Sequence, residues 1–174
     1  MPDTDENVEL TVLHNKASFQ IDGLSSEIHA DKLCTALLKE FHRYLLHERK
    51  LDPLDAGSQA VGADYFLREF MIGHRRENIY NGSAEQARKF AGHWYIITTL
   101  EPNIKELAAI LKGTASFYQY CAEYKLVGAE RRHRLNRLVA NWITSGSGLK
   151  TFTQLPALLS ALGKMHVLSI ETRP

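Results

Sequence analysis

Residues 102–127 read PNIKELAAILKGTASFYQYCAEYKLV, and the spacing of their apolar side chains decides the fold. Two neighbouring stripes run along this stretch, formed by Ile104, Leu107, Ala108, Leu111, Ala115, Tyr118, Cys121 and Ala122 and by Ile110, Phe117 and Tyr124. Steps of three and four residues place such stripes on one side of an α-helix. Pro102 suits the first turn of this helix, and Gly128 suits its end. Because the helix is apolar around most of its circumference, we predict that it lies at the centre of a helical bundle.

Helical patterns flank this central helix on both sides. The predicted segments cover residues 25–49, 63–72, 83–99, 129–144 and 154–162. Asp52, which precedes a proline, offers an N-cap for one more helix, although Gly57 and Gly62 disfavour its continuation. Ser83 and Gln86 have the spacing of a capping box at a helix start. We therefore predict a mainly α protein that forms a bundle of five or six helices.

The two ends of the chain carry the only β-like patterns. Residues 8–12 and 19–22 alternate apolar and polar side chains around a polar turn at 14–16, which predicts a hairpin. An isolated hairpin is only marginally stable, so we expect the β-like run at 166–172 to pair with it in a small β element. The predicted single domain, 1–174, comprises an acidic hairpin segment (1–24), a helical core (25–144) and a short helix with a C-terminal strand (145–174).

Charge is distributed unevenly along the 174 residues, although the net charge is only +1. Residues 1–31 hold seven of the 20 acidic residues and one of the 21 basic residues. The rest of the chain therefore holds 20 bases and 13 acids, which is a net charge of +7. Such an asymmetry favours an anionic partner for the positive part of the chain.

The sequence predicts a cytoplasmic protein that does not enter a membrane. Its first ten residues, MPDTDENVEL, are acidic where a signal peptide would be basic and then apolar. No apolar run approaches the roughly 20 residues that cross a bilayer. The two cysteines, Cys34 and Cys121, lie on or beside the apolar stripes of predicted helices, so we expect both to be buried and reduced.

Recognisable catalytic, cofactor and metal motifs are missing from the sequence. The only E-x-x-H spacing, from Glu130 to His133, encloses two arginines that disfavour a bound cation. His42 and His47 are five residues apart, which places them on different faces of a helix. There is no H-E-x-x-H, C-x-x-C, G-x-S-x-G or phosphate-binding glycine loop. We predict no metal, no cofactor and no enzymatic activity.

Basic residues cluster on three of the predicted elements and are the candidate site. The cluster residues are Arg75, Arg76, Arg88, Lys89, Arg131, Arg132, Arg134 and Arg137. Four of them crowd the first two turns of the helix at 129–144, where positive charge opposes the helix dipole. Lys and Arg clusters on one face are typical of nucleic-acid binding. The alternative is a solvated surface balanced by Glu130 and the acidic N-terminal segment.

Residues 105–127 resemble the last helix of the N-terminal core-binding domain of tyrosine recombinases, the phage-integrase family. The similarity rests on the aromatic pair Phe117-Tyr118 and the apolar exit Leu126-Val127, with Lys125 standing where the family has glycine. Residues 37–51 and 64–70 resemble two earlier helices of that domain, so the resemblance covers about residues 33–127. It implies a clamp-like DNA-binding module. The 47 residues after Val127 are too few for the recombinase catalytic domain, so no recombinase activity is expected.

These patterns predict a non-enzymatic binding module whose partner is DNA or another nucleic acid, held by a basic helical face. The alternative is a protein-interaction or self-associating module, such as a homodimer. A continuous, exposed basic face favours the first function, and neutralisation of the basic clusters by acids favours the second.

Overall fold

The computed structural model describes residues 10–144, and this part of the chain is helical almost throughout. Besides the helical residues 10–13, it contains the α-helices Leu24–His47 (α1), Pro53–Asp64 (α2), Ala84–Lys89 (α3), Tyr95–Thr98 (α4), Ile104–Glu123 (α5) and Ala129–Thr144 (α6). Two π-helical segments, Tyr65–His74 and Phe90–Trp94, continue α2 and α3, and short 3₁₀ helices lie at Lys16–Phe19 and Ile79–Asn81. The predicted mainly α bundle is confirmed.

Helix α5 occupies the centre, as the two apolar stripes predict. Leu107, Leu111 and Tyr118 are completely buried. The helix begins two residues later than expected, because the side chain of Asn103 caps it by accepting hydrogen bonds from two backbone amides of the first turn. Pro102 therefore precedes the cap and is not itself helical.

The end of α5 also differs from the prediction, since the helix stops at Glu123 and does not reach residue 127. Lys125 has a φ of 59°, in the left-handed region. The amide of Leu126 donates to the carbonyl of Cys121 at 2.7 Å, and the amide of Lys125 donates to the carbonyl of Ala122 at 3.1 Å. These two bonds form a Schellman motif, whose left-handed position glycine usually occupies.

Because Lys125 adopts a conformation that costs an L-residue energy, Lys125→Gly is expected to raise the free energy of unfolding by up to about 1 kcal/mol. The matched control is Lys112→Gly, on the exposed side of α5, which should lower it by about 1 kcal/mol because glycine disfavours a helix interior. Urea unfolding followed by circular dichroism measures both changes. A Lys125→Gly protein destabilised as much as Lys112→Gly would contradict the strain at Lys125.

Close contact between α2 and α5 explains Gly62, which the sequence pattern treats as an interruption, and Gly113, which lies within α5. A Cβ atom on Gly62 would lie 2.7 Å from the carbonyl oxygen of Ala109, and one on Gly113 would clash with the carbonyl oxygen of Gln59. The two helix backbones therefore meet without side chains between them. Helix α2 is continuous through Gly57 and Gly62, starting from the predicted cap, where Asp52 accepts from Leu54 and Asp55.

The predicted N-terminal hairpin is wrong over the part that the structure describes. Residues 10–13 are helical, and Lys16–Phe19 forms a 3₁₀ helix that Asn15 caps by accepting from the Ala17 amide. Leu13 and Phe19 are buried and anchor this segment to the bundle. The apolar residues of the segment therefore pack against the helices without forming a strand. No strand occurs between residues 10 and 144. The predicted C-terminal strand and short helix lie outside the described residues, and the single-domain assignment stays a prediction.

Candidate functional site

A groove with a volume of about 680 Å³ lies between α3 and α6. Its lining residues are Ser83, Ala84, Glu85 and Arg88 from the α3 side and Glu130, His133, Arg134, Arg137, Leu138 and Asn141 from α6. An adjoining cavity of about 410 Å³ shares four of these residues and adds Gly128 and Arg131. We call the two together the basic groove, because four arginines, Arg88, Arg131, Arg134 and Arg137, surround it.

Helix α6 carries three of these arginines, Arg131, Arg134 and Arg137. Leu135 and Val139 are buried in the hydrophobic core, whereas Arg134 and Arg137 are exposed and Arg131 is half-buried. Arg131 is fixed more firmly than the others, since its Nη1 donates to the backbone carbonyl of Tyr80 at 2.5 Å. On the facing side, the hydroxyl of Ser83 caps α3 as predicted, and Arg88 follows on that helix.

Four of the eight predicted site residues form ion pairs with carboxylates. The pairs are Arg75–Glu77 at 2.6 Å, Arg76–Glu27 at 2.7 Å, Lys89–Glu85 at 2.8 Å and Arg134–Glu130 at 2.5 Å. Pairs that are this exposed contribute little stability, typically less than about 1 kcal/mol. They reduce the local positive charge, but the basic side chains can exchange partners at small cost.

Three other predicted site residues have a positive charge that no carboxylate of residues 10–144 neutralises. Arg88, Arg132 and Arg137 form no ion pair within residues 10–144, and Arg88 and Arg137 line the basic groove. Arg132 and Lys89 are not among the groove residues. The basic groove therefore brings together half of the predicted site.

Arg75 and Arg76 lie outside the groove, at the end of the π-helical segment Tyr65–His74. There each forms an ion pair with a glutamate, Arg75 with Glu77 and Arg76 with Glu27. The structure also adds His133, which the sequence analysis did not assign to this site. Its position, four residues before Arg137 on the same helix, is the signal that would have found it.

The described residues offer little for other kinds of site. Between residues 10 and 144, no three His, Cys, Asp or Glu side chains form a group that could hold a metal ion. No helix in the same range is long and apolar enough to cross a membrane. Cys34 and Cys121 are free and buried, as predicted, and burial raises the pKa of both thiols.

An apolar groove of about 320 Å³ lies between α1 and α2. It is lined by Thr35, Leu38, Lys39, His42, Gly57, Ala60, Val61 and Asp64. Val61 is 69% exposed, and Leu54, two turns earlier on α2, is 85% exposed. Large apolar side chains that face water on one side of a helix are a feature of interaction surfaces.

The chain matches no protein-family model, no curated protein and no solved structure.

Proposed function

We propose that this protein is a non-enzymatic module that binds the phosphate backbone of nucleic acid in the basic groove. The observation that carries the proposal is the convergence of four arginines from α3 and α6 on one groove. Guanidinium groups suit this role because their planar donors match phosphate oxygens in pairs. The resemblance of residues 33–127 to a DNA-binding recombinase domain points to the same class of ligand.

The composition of the groove sets the strength and kind of binding. Its four arginines face two carboxylates, Glu85 and Glu130, which are already paired with Lys89 and Arg134. A phosphate must therefore displace Glu130 to reach Arg134 fully. Binding of this kind is electrostatic, weak at physiological salt and nearly independent of base sequence.

The test is the salt dependence of binding to random-sequence duplex and single-stranded DNA, measured by fluorescence anisotropy. Four phosphate contacts should reduce affinity about a hundredfold between 50 and 200 mM salt. Arg88→Gln combined with Arg137→Gln should lower the logarithmic salt slope by about two, since each lost contact contributes about 0.9. The control combines Arg75→Gln with Arg76→Gln, which removes the same charge outside the groove and should leave the slope nearly unchanged.

Equal effects of the two double variants would show that binding reflects overall charge and not the groove. The absence of salt-sensitive binding by the unaltered protein would exclude this function.

The alternative, a protein-interaction or self-associating module, is favoured by the exposed Leu54 and Val61 beside the apolar groove. A concentration-dependent dimer in sedimentation equilibrium, abolished by Val61→Lys, would support that alternative.

A further inference from the structure

A cavity of about 220 Å³ lies where the C-terminal ends of α1 and α5 meet. Five rings line it, those of Tyr44, Tyr120, Tyr124, His14 and His47, and we call it the aromatic pocket. Adjacent rings are in contact, with centroids 4.8 Å apart for Tyr120 and Tyr124, 5.0 Å for His14 and Tyr124, and 5.1 Å for Tyr44 and Tyr120. The basic groove shares none of these residues.

Two of the three tyrosine hydroxyls in this pocket already have partners in the protein. The hydroxyl of Tyr44 donates to Glu123 at 2.5 Å, and that of Tyr120 is hydrogen-bonded to Nε2 of His14 at 2.8 Å. Their hydroxyl groups are therefore satisfied, and because Tyr44 and Tyr120 are only 7% and 2% exposed, each presents only a small part of its ring to the pocket. Tyr124, which is 47% exposed, forms the open side of the pocket.

The surroundings of the aromatic pocket favour a cation. Helices α1 and α5 both end here, so the negative ends of two helix dipoles point toward the same place. Glu40 and Glu48 line the pocket, and Glu48 has no ion pair within residues 10–144. Arg43 also lines it, but its guanidinium lies 2.8 Å from Glu40.

Of the two histidines that line the pocket, His14 adds no opposing charge. Burial lowers the pKa of His14 from its ordinary value, so the imidazole is neutral at pH 7. A neutral imidazole joins the three phenol rings as a fourth aromatic wall. Aromatic rings thus form much of the pocket wall, and Glu48 adds a carboxylate that has no ion pair within residues 10–144.

We infer that the aromatic pocket binds a methylated ammonium group. Ring faces attract a cation through their quadrupoles, and aromatic cages use this attraction to hold quaternary ammonium ligands. The methyl groups of such a ligand pack against rings, and its nitrogen has no N–H that needs an acceptor. The volume is below that of pockets for drug-sized ligands, so the pocket takes a head group alone. The head group belongs either to a free choline-like molecule or to a trimethylated lysine side chain.

The test is an NMR titration of the full chain with tetramethylammonium chloride, compared with ammonium chloride at the same ionic strength. We expect saturable shifts at Tyr120 and Tyr124 with tetramethylammonium only, because ammonium has the charge but not the methyl groups. Choline and a trimethyl-lysine peptide are then titrated separately, and the tighter of the two identifies the carrier of the head group.

Two substitutions at Tyr124 distinguish a binding role from a packing role. Tyr124→Leu keeps an apolar side chain but removes the ring, and affinity for tetramethylammonium should fall about tenfold. Tyr124→Phe keeps the ring, and affinity should stay within about twofold of the unaltered protein. Because Tyr124 is half exposed, both variants should fold, which their unfolding midpoints check. Equal affinity for ammonium, equal affinity of Tyr124→Leu, or no saturable binding at all would overturn the inference.

Discussion

Replacing Gly113 with alanine is expected to lower the free energy of unfolding by about 3 kcal/mol, although the substitution adds only one methyl group. The new Cβ would clash with the carbonyl oxygen of Gln59 and would lie 2.9 Å from the backbone nitrogen of Ala63. Both atoms belong to the backbone of α2, so neither can turn aside as a flexible side chain could. Helices α2 and α5 would have to separate, and the buried side chains between them would lose contacts.

The matched control for Gly113→Ala is Gly57→Ala in α2. A Cβ on Gly57 meets no atom within 4 Å, and alanine is the better helix former. This substitution should raise the free energy of unfolding by about 0.5–1 kcal/mol. Urea denaturation followed by circular dichroism measures both. A Gly113→Ala protein as stable as the unaltered protein would mean that α2 and α5 do not approach so closely.

Sequence features that act within one helical turn, such as N-caps, predicted the structure correctly. Asp52 and Ser83 cap α2 and α3 as predicted, because an N-cap needs only its own side chain and the next three amides. Helix α6 runs Ala129–Thr144, the predicted range, since glycine precedes it and its apolar spacing is regular. The central position of α5 was also predictable, because its apolar side chains, among them Leu111, recur at regular spacing over about five turns.

Short patterns and tertiary arrangements could not be predicted in the same way. The alternation at 19–22 is typical of a strand, yet Phe19 is the last residue of the 3₁₀ helix Lys16–Phe19 and is buried. Only packing against the bundle decides between these two structures. Helix α5 starts at Ile104 and not at Pro102, because the side chain of Asn103 caps it. The close approach at Gly62 and Gly113 depends on two helices at once, whereas the local sequence around Gly62 alone indicates an interruption of the helix.

Local sequence patterns also could not predict which basic residues share the candidate site. The arginines of α6 could be grouped from their spacing, but Arg88 joins them only because α3 packs beside α6. Arg76 is neutralised by Glu27, which lies 49 residues earlier in the chain, and no local pattern gives such a pair. Charge clusters in a sequence therefore identify candidate residues, whereas their sharing of one surface is a property of the fold.

Leu111→Ala is expected to lower the free energy of unfolding by about 2–5 kcal/mol. Leu111 is completely buried on the central helix, and removal of three carbon atoms leaves a cavity that the surrounding helices can fill only in part. Leu100→Ala is the matched control, because Leu100 is fully exposed between α4 and α5 and should change stability by less than about 0.5 kcal/mol. Both are measured by urea unfolding at one temperature. A loss below about 1 kcal/mol for Leu111→Ala would place this helix at the edge of the bundle.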